Sequence, residues 1–153
     1  MKAIPIFFAL LCSTAFADND DDLRLSQCPA AVQATIQEHS RGARIDDIDR
    51  IGIEGNVIYR AEIDLPNDQD LKLYVSGNGA LLKTLEEITL AEAPEAVRRV
   101  AQQQGGTIDD VARETKGQAV TYHVEIDRRG QPDLDLVLGV DGAILSRTEE
   151  GGD

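Results

Sequence analysis

The chain repeats itself. Glu62-Ile63-Asp64 returns as Glu125-Ile126-Asp127, 63 positions later (62 to 125), and the same offset carries Val57 and Tyr59 onto Val120 and Tyr122. It also carries Asp70-Leu71 onto Asp133-Leu134, Gly79-Ala80 onto Gly142-Ala143, and Glu86-Glu87 onto Glu149-Glu150, without a gap. Ile45-Asp46-Asp47-Ile48 is echoed by Ile108-Asp109-Asp110-Val111. Pro29 and Val32 match Pro94 and Val97 once two residues near 40–44 are allowed for. Self-similarity at a fixed offset means one supersecondary unit used twice. A unit of roughly 60 residues buries too little surface to be secure alone, so the two copies must lean on each other.

Each copy reads alike. A helical segment opens it, over 29–40 and 94–104, with proline in the first turn, where its missing N–H has no partner to lose. Ala31, Val32, Thr35 and Ile36 follow helical spacing, as do Val97, Val100 and Ala101, and Gly42 and Gly105-Gly106 supply stops. Weak strand signals follow at 45–53 and 107–115, and strong ones at 57–65 and 119–127. In the strong runs Val57, Tyr59, Ala61 and Ile63 alternate with Arg60, Glu62 and Asp64; Val120, Tyr122, Val124 and Ile126 alternate with Thr121, His123, Glu125 and Asp127. Leu71, Leu73 and Val75, matched by Leu134, Leu136 and Leu138, form the apolar side of a third strand. Asn78-Gly79 and Asp141-Gly142 turn the chain into a short last one. The expected fold class is α+β: two tandem α-β-β-β-β units, over 28–88 and 89–150. In each, a helix packs on a four-stranded antiparallel sheet, and the two join in one compact pseudo-twofold body.

The ends have their own signatures. Met1-Lys2, an apolar run to Ala17, and Ala15-Phe16-Ala17 form the pattern of a signal peptide over 1–17, cleaved after Ala17. The run is shorter than the roughly 20 apolar residues of a spanning helix. Leu11 before Cys12 fits a lipoprotein site poorly, so no membrane anchor is expected. The acidic segment 18–27 and the charged end 149–153 lack apolar anchors and read as disordered tails.

The run Val120-Thr121-Tyr122-His123-Val124-Glu125-Ile126-Asp127, followed by an apolar strand over 134–140 and Asp141-Gly142-Ala143-Ile144-Leu145, resembles the PepSY-like family. Tyr59-Arg60-Ala61-Glu62-Ile63 and Asn78-Gly79 repeat the pattern in the first copy, with Ala61 where valine is usual. The resemblance covers nearly all of residues 28–150. It implies a fold like that of the secreted β-lactamase-inhibitor protein, with tandem units side by side, helices on one face and an open concave face on the other. It further implies an exported, periplasmic or secreted protein that binds or restrains other proteins, peptidases among them. The family has no known catalytic residues to carry over.

The residues themselves point away from chemistry. The formal charge is −13, which repels phosphate backbones and anionic lipids, so nucleic acid and membrane surfaces are not expected partners. Neither His39 nor His123 belongs to a zinc-spaced cluster, and no nucleophile elbow or phosphate loop is present, so no enzyme and no cofactor is expected. Asp46-Asp47-Asp49 and Asp109-Asp110 lack the spacing of a calcium loop. What remains is the polar sheet face, expected to carry Arg60, Glu62, Lys72 and Tyr74 in the first copy and His123, Glu125 and Asp135 in the second. The leading expectation is a non-catalytic module docking a cell-envelope protein there. A cation sensor using the acidic surface, calcium foremost, is the alternative, and a structural protein paired through Cys28 is a third.

Overall fold

The structure, a computed structural model, describes residues 21–150; the expected signal segment 1–17 lies outside them. A short strand β1 (Asp21–Asp22) precedes the first repeat, whose helix α1 (Ala30–His39) is followed by β2 (Arg44–Ile53). Then come β3 (Asn56–Leu65), β4 (Gln69–Ser76) and β5 (Leu81–Glu87). A second helix, α2 (Glu95–Gln103), precedes β6 (Thr107–Lys116), β7 (Ala119–Asp127), β8 (Asp133–Gly139) and β9 (Ile144–Glu150).

All nine strands lie in one sheet in the order β1 to β9, each antiparallel to the next. This corrects the expectation of two four-stranded sheets each with its own helix. β5 hydrogen-bonds directly to β6 through Thr84↔Thr115, Leu85↔Glu114, Glu86↔Arg113 and Glu87↔Ala112, so the eight long strands form one continuous sheet. The pseudo-twofold relation fails with it. β6 lies beside β5 and antiparallel to it, with α2 in the connection, so β2 and β6 run the same way and the halves succeed each other head to tail. The physical reason is an open edge: a lone four-stranded sheet would leave β5 with unpaired N–H and C=O groups, which β6 satisfies.

Register places both helices on one face. Leu71 opposes Glu86, Glu86 opposes Arg113, and Arg113 opposes Tyr122, so these four share a side. On that side α1 seals Val32 and Ile36 over Ile63, Leu71, Leu73 and Val75, while α2 seals Val97 and Ala101 over Val124, Leu134, Leu136 and Leu138. The two apolar cores are separate. Between them the helix face turns polar: Glu86 accepts from Arg41 at 2.7 and 3.0 Å and from Arg113 at 2.7 Å. Arg41 and then Arg113 hold its carboxyl below the usual carboxylate range.

The segment 18–27, expected as a disordered tail, is structured from Asp21 onward. Asp21 opposes Arg50 and Asp22 opposes Asp49, Leu23 donates to the Ile48 carbonyl at 2.7 Å, and Leu23 and Leu25 pack on the first core. The anchors are those two leucines, outweighed in the sequence by the acidic run before them. At the other end Glu149 and Glu150 belong to β9, and only 151–153 lie outside the described residues.

The turns dock on the helices. Gly79 has φ +89°, and a Cβ there would sit 2.7 Å from Ala31 Cβ and 2.8 Å from its carbonyl oxygen. Gly142 repeats this against the Ala96 carbonyl, at 2.9 Å and φ +81°. Thr35 Oγ1 fastens the first contact, donating to the Gly79 carbonyl at 2.6 Å. Gly79→Ala combines a left-handed strain with displacement of α1 backbone, and is expected to cost about 2–4 kcal/mol. Urea unfolding checks this; a loss below about 0.5 kcal/mol, within the scatter of ordinary surface changes, contradicts the docked turn.

Candidate functional site

No helix among the described residues covers the other face of the sheet. Alternation places Arg60, Glu62, Lys72, Tyr74, His123, Glu125 and Asp135 there together, on β3, β4, β7 and β8. The sequence reading of that face stopped at the two copies; the sheet runs on between them and adds Lys83, Leu85 and Glu87 from β5 and Asp110, Ala112 and Glu114 from β6. Their own alternation was the available signal. Lys83-x-Leu85-x-Glu87 and Asp110-x-Ala112-x-Glu114 both skip by two.

The face divides into two bands across the strands. One is cationic and aromatic. Asp49, Arg60, Tyr74 and Lys83 oppose one another in sequence from β2 to β5. Arg60 Nε donates to Asp49 at 2.9 Å, so the carboxylate of this ion pair is buried while the Arg60 side chain stays 34% exposed. Lys83 Nζ sits 4.6 Å from the Tyr74 ring centroid and reaches Glu114 at 2.9 Å. Burial pushes the Tyr74 hydroxyl up. His123 on β7 stands opposite Ala112 and reaches towards this band through Glu114. Its Nε2 is buried without a hydrogen bond, 3.6 Å from Glu114, and burial lowers the imidazole below its ordinary value. Arg60 and Tyr74 are thus held by neighbours and are less free to reach a partner than the sequence suggests.

The second band is acidic. Asp47 opposes Glu62, Asp64 opposes Asp70, Asp110 opposes Glu125, and Glu125 opposes Asp135. Like charges directly opposite across a ladder are destabilising. Lys72 relieves the first pair, 3.5 Å from Glu62, and Arg44 reaches Asp64. The row Asp110, Glu125, Asp135 shows no ion pair among the described residues. Between the halves Glu87 feels the charge of Asp110, and it accepts from the Asp70 N–H at 3.2 Å. Burial first, and then in most cases the neighbouring carboxylates, pushes Asp47, Asp70, Glu87, Asp110, Glu125 and Asp135 above the ordinary carboxylate range. The centre is apolar: Leu85, opposed by Lys72 and Glu114, is only 6% exposed on this uncapped face.

Two other expectations meet the structure here. Carboxylate oxygens of Asp22, Asp47 and Asp49 lie within 4.8 Å of one another at the β1–β2 edge, although Arg60 already neutralises Asp49. Asp46 instead pairs with Arg44 at 2.8 Å. Cys28 is buried in the first core with Sγ 3.8 Å from the Arg24 carbonyl, and burial raises its thiol, which disfavours the thiolate that pairing between molecules needs.

Neither the family models nor the curated proteins include a match to this chain. Solved structures do share its fold. A provisionally periplasmic protein from Bacteroides eggerthii DSM 20697 aligns with TM-score 0.67 at 16% identity, over 80% of this chain and 88% of its own. A DUF2874 family protein from Bacteroides uniformis ATCC 8492 aligns at TM-score 0.65 and 22% identity, over 80% and 89%. A BLIP-like protein from Bacteroides fragilis NCTC 9343 aligns at TM-score 0.61 and 16% identity, over 82% and 89%. The fold of this chain is therefore that of the DUF2874 and BLIP-like structures. No helix among its described residues is long and apolar enough to cross a membrane.

Proposed function

We propose that this chain is an exported, non-catalytic binding module of PepSY-like type that docks a protein partner of the cell envelope on its open sheet face. The observation that carries this reading is the row Asp110, Glu125, Asp135. Three carboxyls stand directly opposite one another on adjacent strands, at a cost in stability that a cationic surface laid across them would repay. Support comes also from the periplasmic and BLIP-like descriptions of proteins sharing the fold. The partner we favour is an envelope or secreted enzyme, peptidases included, restrained by occupation of a basic surface near its own site.

The test uses variants that spare the fold. Arg60→Ala would strand the buried Asp49 charge, whereas Glu125→Gln with Asp135→Asn removes repulsion and keeps shape. Capture from envelope and secreted fractions is expected to yield a stoichiometric partner with the native chain and to lose it with the double variant. Equal capture by both would overturn the assignment of the face. A cation reading has one observation in its favour, the Asp22, Asp47, Asp49 trio. Calorimetric titration with calcium chloride separates it, since saturable binding abolished by Asp47→Asn requires that trio and leaves Glu125 irrelevant.

A further inference from the structure

The repeat says what an edge like that of β9 can accept. Its counterpart at the 63-residue offset is β5, whose outer edge is closed by β6. There the pairs are Thr84 against Thr115 and Glu86 against Arg113. β9 stands last in the sheet, and its outer edge meets no further strand among the described residues. A seven-residue strand with unpaired N–H and C=O groups is a template for another strand.

Head-to-tail growth, the relation between the two halves, is closed off. It would lay β2 of another copy on β9, but the outer edge of β2 is occupied by Asp21–Asp22 and by the Leu23 N–H on the Ile48 carbonyl. The remaining symmetric choice is β9 on β9. Here the side chains are self-complementary. Arg147 opposes Leu136 and Glu149 opposes Leu134, so both point to the helix face, and they already meet within the strand at 3.2 Å. A two-fold axis beside Thr148 sets Thr148 against its copy and Arg147 against Glu149 of the other chain, twice over. Glu149 stands at the 63-residue offset from Glu86, so the arginine–glutamate pair is that of the β5–β6 seam. Charges that would repel an arbitrary strand fit a second copy of this one.

We infer that β9 is a self-association edge at which a second copy of this chain pairs antiparallel about Thr148, extending the sheet through an isologous two-fold contact. The axis runs perpendicular to the sheet. Both open faces then look the same way, side by side.

Sedimentation equilibrium of the full chain, expressed with its own N-terminal segment, tests this at near-physiological ionic strength. The native protein is expected to form a dimer. Arg147→Glu sets glutamate against Glu149 in both symmetric positions and is expected to weaken the dimer at least about tenfold. Adding Glu149→Arg to the same chain restores opposite charges and is expected to restore the dimer, which a merely damaged fold would not do. A native monomer up to millimolar concentration overturns the inference. So does a single variant that dimerises as tightly as the native chain, or a double variant no tighter than the single one.

Discussion

Truncating Leu136 to alanine is expected to lower stability by about 3 kcal/mol and to lower the melting of the whole sheet, not of its second half alone. Leu136 is 1% exposed beneath α2, where a lost isobutyl group leaves a cavity that the flanking Val124, Leu134 and Leu138 can close only in part. The buried residues of the two cores form separate clusters. The coupling is therefore carried by the β5–β6 ladder, by Glu86 held between Arg41 and Arg113, and by Lys83 on Glu114. Ile88, just past β5, strengthens it by packing into the second core and donating to the Val111 carbonyl at 2.9 Å. Calorimetry of Leu136→Ala and of Leu73→Ala in the first core is expected to show one transition in each, lowered by roughly 10 °C. A Leu136→Ala trace that splits, with one transition at the native temperature, contradicts a single cooperative sheet.

Acidification from pH 7 into the range just above the ordinary carboxylate values is expected to raise the melting temperature. Asp47, Asp70, Glu87, Asp110, Glu125 and Asp135 bind protons more readily folded than unfolded. Stability linked to them therefore grows as pH falls into their raised range, and the gain is complete near the unfolded carboxylate values of about 4. Two sets of groups pull the other way. His123 is lowered, so its contribution is present above the ordinary imidazole value and is lost as pH falls through the folded one. Glu86, Glu92 and Glu149 are also lowered, but their contribution is lost only below the ordinary carboxylate range. The raised carboxyls together draw the optimum down towards the ordinary carboxylate values.

Glu125→Gln with Asp135→Asn is then expected to stabilise by about 1 kcal/mol at pH 7 and by less at pH 5, an effect reduced by salt because both groups are partly exposed. Thermal melts across this range decide it. A melting temperature that falls steadily from pH 7 to 5, with no gain in the double variant, contradicts the repulsive band.

Much of the architecture can be read from spacing. Tyr59, Ala61 and Ile63 are buried in alternation on β3, as are Leu134, Leu136 and Leu138 on β8, because one covered face imposes a period of two. Val32 and Ile36, one helical turn apart, are wholly buried for the corresponding reason. The β5–β6 pairing has no such signature. Hydrogen bonding at a strand edge is a backbone property, and its side-chain traces, Thr84 with Thr115 and Glu86 with Arg113, acquire meaning only in register. The same gap hid half of the candidate face. Arg60, Glu62, Lys72 and Tyr74 stand on strong alternating strands, whereas Lys83, Glu87, Asp110 and Glu114 stand on weak ones, where Leu85 and Ala112 are buried on the face that ought to be polar. Asp21 to Gln27 escaped notice because two leucines anchor a run dominated by acids.

The open, acidic sheet face is proposed to dock a cationic protein surface. Amide-shift mapping with a short lysine- and arginine-rich peptide tests it most directly, with the double variant as control. An acidic protein attracts such a peptide everywhere, so location decides rather than affinity. The account predicts saturable shifts concentrated at Asp70, Glu87, Asp110, Glu125 and Asp135 and lost when Glu125 and Asp135 are neutralised. Shifts spread over the helix face, or unchanged by that neutralisation, would contradict it.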